Sequence, residues 1–142
     1  MLSRRLGKAT MTTRTLVMVS STIETATGLA LIADPDLVAR ILLGTDLLGG
    51  GIAVSRVAGV ALLALGMACW PSEGDPTAQT TWALFTYNFL AAIYLGYLGA
   101  GGGFVSYLLW PVCALHALLA LLLARPAYAK FSAARAARPT VK

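Results

Sequence analysis

Residues 51–70 read GIAVSRVAGVALLALGMACW, twenty residues with a single charged side chain, Arg56. At about 1.5 Å per residue a helix of this length spans the hydrocarbon of a bilayer, roughly 30 Å thick. Working outward, comparable apolar stretches run from about 15–33, 80–99 and 104–124, and the central one extends to about 48–70. The whole chain of 142 residues is 58% hydrophobic and 12% charged, with a mean hydropathy of +0.75, outside the balance of a soluble domain. The expected fold is therefore all-α: one four-span integral membrane bundle over residues 1–142. A short interfacial helix is expected between spans 1 and 2, and a basic surface tail over 125–142. A chain of this length has no room for a separate soluble catalytic domain.

The basic residues set the expected topology. Arg4, Arg5, Lys8 and Arg14 precede the first apolar stretch, and Arg125, Lys130, Arg135, Arg138 and Lys142 follow the last. The positive-inside rule then places both the N and C termini in the cytoplasm, which an even number of crossings satisfies. These residues flank apolar segments and leave no folded basic face, so no nucleic acid is expected as a partner. Anionic lipid headgroups account for them.

Ser20, Ser21, Thr22, Glu24, Thr25 and Thr27 make the first span the least apolar. Glu24 interrupts the apolar core that a cleaved signal peptide needs, so this stretch is expected to persist as a span. Asp34-Pro35 then announces a new helix, with Leu37, Val38, Ile41 and Leu42 on one face and Gly44 as its stop. In the second span Gly51, Ser55 and Gly59 recur at four-residue spacing, a small-residue face that lets another helix approach closely. Residues 71–79 form a turn holding Glu73 and Asp75, and 99–103 a tight uncharged one. In the fourth span Pro111 is expected to kink the helix and free the carbonyl of Tyr107, and Arg125-Pro126 to end it. Trp70 and Trp82 at one interface, with Tyr97 and Phe104 at the other, fit this layout. Leu43-Gly44 with Gly49–Gly51 recurs as Leu95-Gly96 with Gly101–Gly103, the pattern that a duplicated helix pair would leave.

Each span carries one conspicuous polar residue: Glu24, Arg56, Asn88 and His116. Ionised side chains at mid-membrane cost about 2.5 to 3.5 kcal/mol each, which favours an inward-facing polar layer in which Glu24 pairs with Arg56. Such a layer either serves a ligand or only fixes helix register. Tyr87 and Tyr94, seven residues apart, share one helix face and would bracket a planar ligand such as a quinone or pigment, or simply pack as an aromatic stripe. His116 is the single histidine, so it makes a poor metal or haem site by itself, even with Cys113 one turn away. Cys69 and Cys113 fall at different depths and are expected as free thiols. No Ser-His-Asp set, phosphate-binding glycine loop or carboxylate pair can be assembled, so no catalytic residue is assigned.

Arg56-Val-Ala-Gly59 with Leu65-Gly66, and Leu109-Trp110-Pro111 with His116, resemble small four-helix bacterial membrane proteins without assigned function, faintly the DoxX-like group. The resemblance implies a four-helix fold in a bacterial inner membrane. Small multidrug-resistance transporters are a second likeness, through a membrane-embedded Glu in the first of four helices. Arg56 and the interfacial helix depart from that pattern. Three functions follow as expectations. The first is an accessory or assembly subunit docking with other membrane subunits or with itself. The second is a proton-coupled carrier or binder of a small hydrophobic ligand (lipid, quinone or pigment). The third is an intramembrane lipid-modifying enzyme with His116 or Glu24 as acid or base.

Overall fold

The computed structural model describes residues 12–104 and 106–136, and within them the chain is entirely helix and connection. The helices are α1 (Thr13–Ala33), α2 (Pro35–Leu43), α3 (Gly50–Ala68), α4 (Ala78–Ala100) and α5 (Leu109–Ala136). Four of them, all but α2, are long and apolar enough to cross a membrane, so the chain is a multi-pass membrane protein with an all-α fold. Arg4, Arg5, Lys8, Arg138 and Lys142 lie outside the described residues.

Local chemistry sets the helix ends. The Thr12 hydroxyl caps α1 by accepting from the Thr15 N–H at 3.2 Å, and Thr77 does the same for α4 through Thr80 at 3.1 Å. Between α1 and α2 the Asp34 carboxylate accepts from the Leu37 N–H at 3.0 Å, with Pro35 in the first helical position, where a missing N–H costs nothing. Gly44 closes α2 at a φ of 72°, a left-handed conformation that favours glycine. Asp36 accepts from the Leu47 N–H at 2.8 Å and pairs with Arg40 at 2.5 Å, while Asp46 holds the Arg40 Nε at 2.6 Å. The hydrogen bond it donates to Asp46, then the charge of Asp36, hold the exposed Arg40 guanidinium above its ordinary range. The apolar face expected of α2 splits in use. Val38 and Leu42 turn to the bundle, whereas Leu37 and Ile41 are exposed, as an interfacial helix requires.

α1 runs along α3 and α4 along α5, and α1 also touches α4 and α5. α3 therefore leans on α1 and presents its far side, including Val54, Val57, Val60 and Met67, to the surroundings. Leu16, Val17, Cys69, Leu84 and Leu123 cluster where α1 and α4 begin and α3 ends, so the first and last described residues share one end of the bundle. α2 caps the opposite end.

Small residues do let α1 and α3 meet, and of the face that four-residue spacing picks out Gly59 is in the contact while Gly51 is not. A Cβ on Gly59 would stand 2.8 Å from the Gly28 carbonyl oxygen, and one on Gly66 would stand 2.7 Å from that of Ser21. Gly51 meets only the Leu47 side chain. The seam is thus Gly59 and Gly66, two turns apart, against Gly28 and the backbone of residues 21–25. Gly51 falls off it because α1 has already ended at that level.

The last span differs from expectation at both ends. α5 begins at Leu109, not Phe104, because the Ser106 hydroxyl accepts from the Leu108 N–H and donates to the Ile41 carbonyl, holding the preceding chain as a turn. Pro111 is consequently the third helical residue, in the first turn where no N–H partner is needed, so it removes no bond of the helical ladder. Pro126 does not stop the helix, which continues to Ala136. Tertiary contacts outweigh the lost bond to Leu122: Ala127 is fully buried, Lys130 donates to the Pro76 carbonyl at 2.7 Å, and Phe131 stacks on Trp82 at 5.6 Å. The repeated Leu-Gly motif has no structural counterpart either, since Leu43-Gly44 ends α2 whereas Leu95-Gly96 lies inside α4.

Candidate functional site

Helical spacing divides the polar residues of α1 between two neighbours. Ser21 and Thr25 face Gly66 of α3, whereas Ser20, one position round, faces α4. There it accepts a hydrogen bond from the Asn88 amide nitrogen at 2.9 Å, and the same nitrogen donates to the Leu84 carbonyl at 2.9 Å. The Asn88 amide oxygen stands 2.8 Å from Nδ1 of His116 on α5. Three helices are thus joined by a chain, Ser20–Asn88–His116, of which the first two members are wholly buried and the third is 7% exposed. The ring of Tyr87, one residue before Asn88, meets His116 edge-on at 5.8 Å.

Glu24 lies one turn along α1 from Ser20 and is also wholly buried, yet neither carboxyl oxygen has a hydrogen-bond partner among the described residues. The Tyr87 hydroxyl stands beside the carboxyl, close enough to interact with it but outside hydrogen-bond geometry. The expected partner, Arg56, is elsewhere: it is exposed on α3, and neither ion pair among the described residues includes it. Register explains the separation. Gly66 opposes residues 21–25 and Gly59 opposes Gly28, which sets Glu24 level with residues 63–66 of α3. Arg56 then lies seven to ten residues nearer the α2 end, about 10 to 15 Å away. The pairing of Glu24 with Arg56 is corrected accordingly.

A cavity of about 490 Å³ opens beside this layer, toward the α2 end. His116, Tyr87 and Tyr94 line it together, with Thr27 of α1, Val38 of α2 and Leu115 of α5 among its walls. Asn88 stands behind His116 and Glu24 behind Tyr87, so five of the six expected site residues gather around one space and Arg56 stands apart. Tyr94 is 62% exposed and marks the open side. α2 as a wall of this space escapes sequence reading, because nothing in its amphipathic pattern says which side of the bundle it covers. A second cavity of about 530 Å³, between α4 and α5, is lined by Phe85, Phe89, Cys113 and alanines. Cys113 faces that space and donates to the Ala92 carbonyl at 3.3 Å, so it is not gathered with His116. Cys69 and Cys113 are both free thiols.

No family model, curated protein or solved structure matches the chain.

Proposed function

We propose that this chain binds a small hydrophobic ligand, a lipid, quinone or pigment, in the cavity bounded by Tyr87, Tyr94 and His116. The observation that carries the reading is the meeting of these three side chains on one apolar space, with His116 held from behind by Asn88 and Ser20. Ligand sites are typically apolar concavities of about 300 to 1,000 Å³ with a few fixed polar groups, and this one has that character. The protein would work in a bacterial inner membrane, in keeping with its resemblance to small four-helix and DoxX-like proteins, with both termini in the cytoplasm. Arg14, Arg125, Lys130 and Arg135 at one end of the bundle, against Arg40 at the α2 end, favour that orientation. A cysteine introduced at Ser132 is then expected to resist a membrane-impermeant maleimide until the cells are opened. Labelling in intact cells would reverse the orientation.

A second reading, an accessory subunit docked to other membrane chains or to a second copy, is favoured by Arg56. It lies exposed on α3 amid exposed valines, where lipid is a poor solvent for a guanidinium and an acidic partner a good one.

Native mass spectrometry of the protein released from its own membranes separates the two. The ligand reading expects a reproducible small-molecule mass that is lost in Ala91→Trp, which fills the cavity, and kept in Ala92→Trp, which fills the neighbouring one. Equal retention in both variants overturns it. A fixed complex with other chains and no small-molecule mass would favour the accessory reading.

A further inference from the structure

The hydrogen bonds behind His116 determine which of its ring nitrogens is free, and so what the cavity can recognise. A backbone carbonyl only accepts, so the Asn88 side-chain atom 2.9 Å from the Leu84 oxygen is the NH₂ group. Its second hydrogen goes to Ser20 Oγ, and both amide hydrogens are then used. The atom facing His116 is consequently the Asn88 oxygen, which can only accept. Nδ1 of His116 must therefore be the protonated nitrogen of the neutral ring. The other nitrogen, Nε2, is left with a bare lone pair. It has no protein partner among the described residues and is not sealed from the adjoining space, which is the cavity. The residues that line the cavity with it include no cation, and none of their hydroxyls, on Thr27, Tyr87 and Tyr94, is bonded to Nε2.

We infer that the ligand of this cavity carries a hydroxyl group on an apolar body and donates it to Nε2 of His116. The inference rests on the ligand-binding reading above and narrows it. A ligand whose head bears only carbonyl oxygens would set lone pair against lone pair at this position. An alcohol or a hydroquinone completes the chain that runs through His116 and Asn88 to Ser20. Tyr87 packs edge-on against the imidazole and lines the cavity with it, while Tyr94 flanks the entrance. Two sources supply the chemistry: an aromatic hydroquinone and an isoprenoid alcohol.

The chain contains one histidine, so ¹⁵N-histidine labelling reports the two ring nitrogens of His116 alone. In lipid nanodiscs without added ligand, Nδ1 is expected to carry the proton and Nε2 to show the shift of an unprotonated nitrogen. Addition of duroquinol or farnesol is then expected to move Nε2 toward hydrogen-bonded values, with binding about ten-fold tighter than that of the matching carbonyl forms, duroquinone and farnesal. A response to duroquinol alone identifies an aromatic head, and one to farnesol alone an isoprenoid alcohol. A proton found on Nε2 in the free protein overturns the inference, as does an equal response to the carbonyl forms. If none of the four compounds moves Nε2 while Ala91→Trp still expels a co-purified molecule, the hydroxyl inference falls and the ligand reading survives.

Discussion

Gly66→Leu is expected to break the association of α1 with α3 and to leave little folded protein. A Cβ at this position would lie 2.7 Å from the Ser21 carbonyl oxygen and 2.8 Å from the Thr25 nitrogen. Both are backbone atoms of α1, which cannot swing aside as a side chain would, so the helices must separate along their length. Over-packing a core typically costs about 1 to 3 kcal/mol where side chains can adjust. Here the cost should exceed that range and consume much of a stability that is typically about 5 to 15 kcal/mol. α3 has no compensating contact, because it leans almost wholly on α1. Among membrane helices, close packing replaces the hydrophobic drive that water supplies elsewhere. Gly103→Ala is the control, since a Cβ there meets nothing within 4 Å. Thermal melts followed by fluorescence-detected gel filtration in detergent should show the first variant largely aggregated and the second unchanged. A melt of Gly66→Leu superimposable on that of the parent would mean that α1 and α3 are not joined at this seam.

The contrast between Gly66 and Gly51 also shows what a sequence can and cannot yield here. Helix number, the position of α2 and its caps follow from rules that act within a few residues: apolar length against bilayer thickness, Asp34 before Pro35, Gly44 after the last apolar turn. Lateral register follows no such rule. Gly51, Ser55 and Gly59 have the better local spacing, yet the seam joins Gly59 to Gly66 and leaves Gly51 out, because contact depends on where α1 happens to end. The same ambiguity separated Arg56 from Glu24, a shift of about 10 to 15 Å that no pattern within either helix records. Asn88 and His116 could be matched by depth because each lies on a helix whose partner is its immediate neighbour in the chain. Past Pro126 the local rule fails for a different reason. Contacts with Trp82 and Pro76, some fifty residues away, hold helix where the proline alone predicts an end.

Glu24 and Asn88 are both wholly buried polar residues, and their replacements are expected to move stability in opposite directions. Asn88 has every donor and acceptor group engaged: two hydrogens given, to Ser20 and Leu84, and one received from His116. Asn88→Leu keeps the volume but strands the Nδ1–H of His116 in a buried site, a loss of about 1 to 3 kcal/mol. Glu24 has neither oxygen bonded among the described residues, so its burial is an uncompensated cost. Glu24→Met keeps an unbranched side chain of similar length and removes the polar atoms, and it should raise stability by about 1 to 3 kcal/mol. Thermal melts of the two variants in one detergent test both signs together. A residue that serves only to fix helix register should lower stability when it is lost, as Asn88 is expected to do. A residue that stabilises the bundle by its removal is one the fold tolerates at a cost, and such residues gather where activity needs them. A destabilised Glu24→Met would make the carboxyl a structural member of the layer. A stabilised Glu24→Met that no longer retains the small-molecule mass would instead tie the buried carboxyl, through Tyr87, to the cavity.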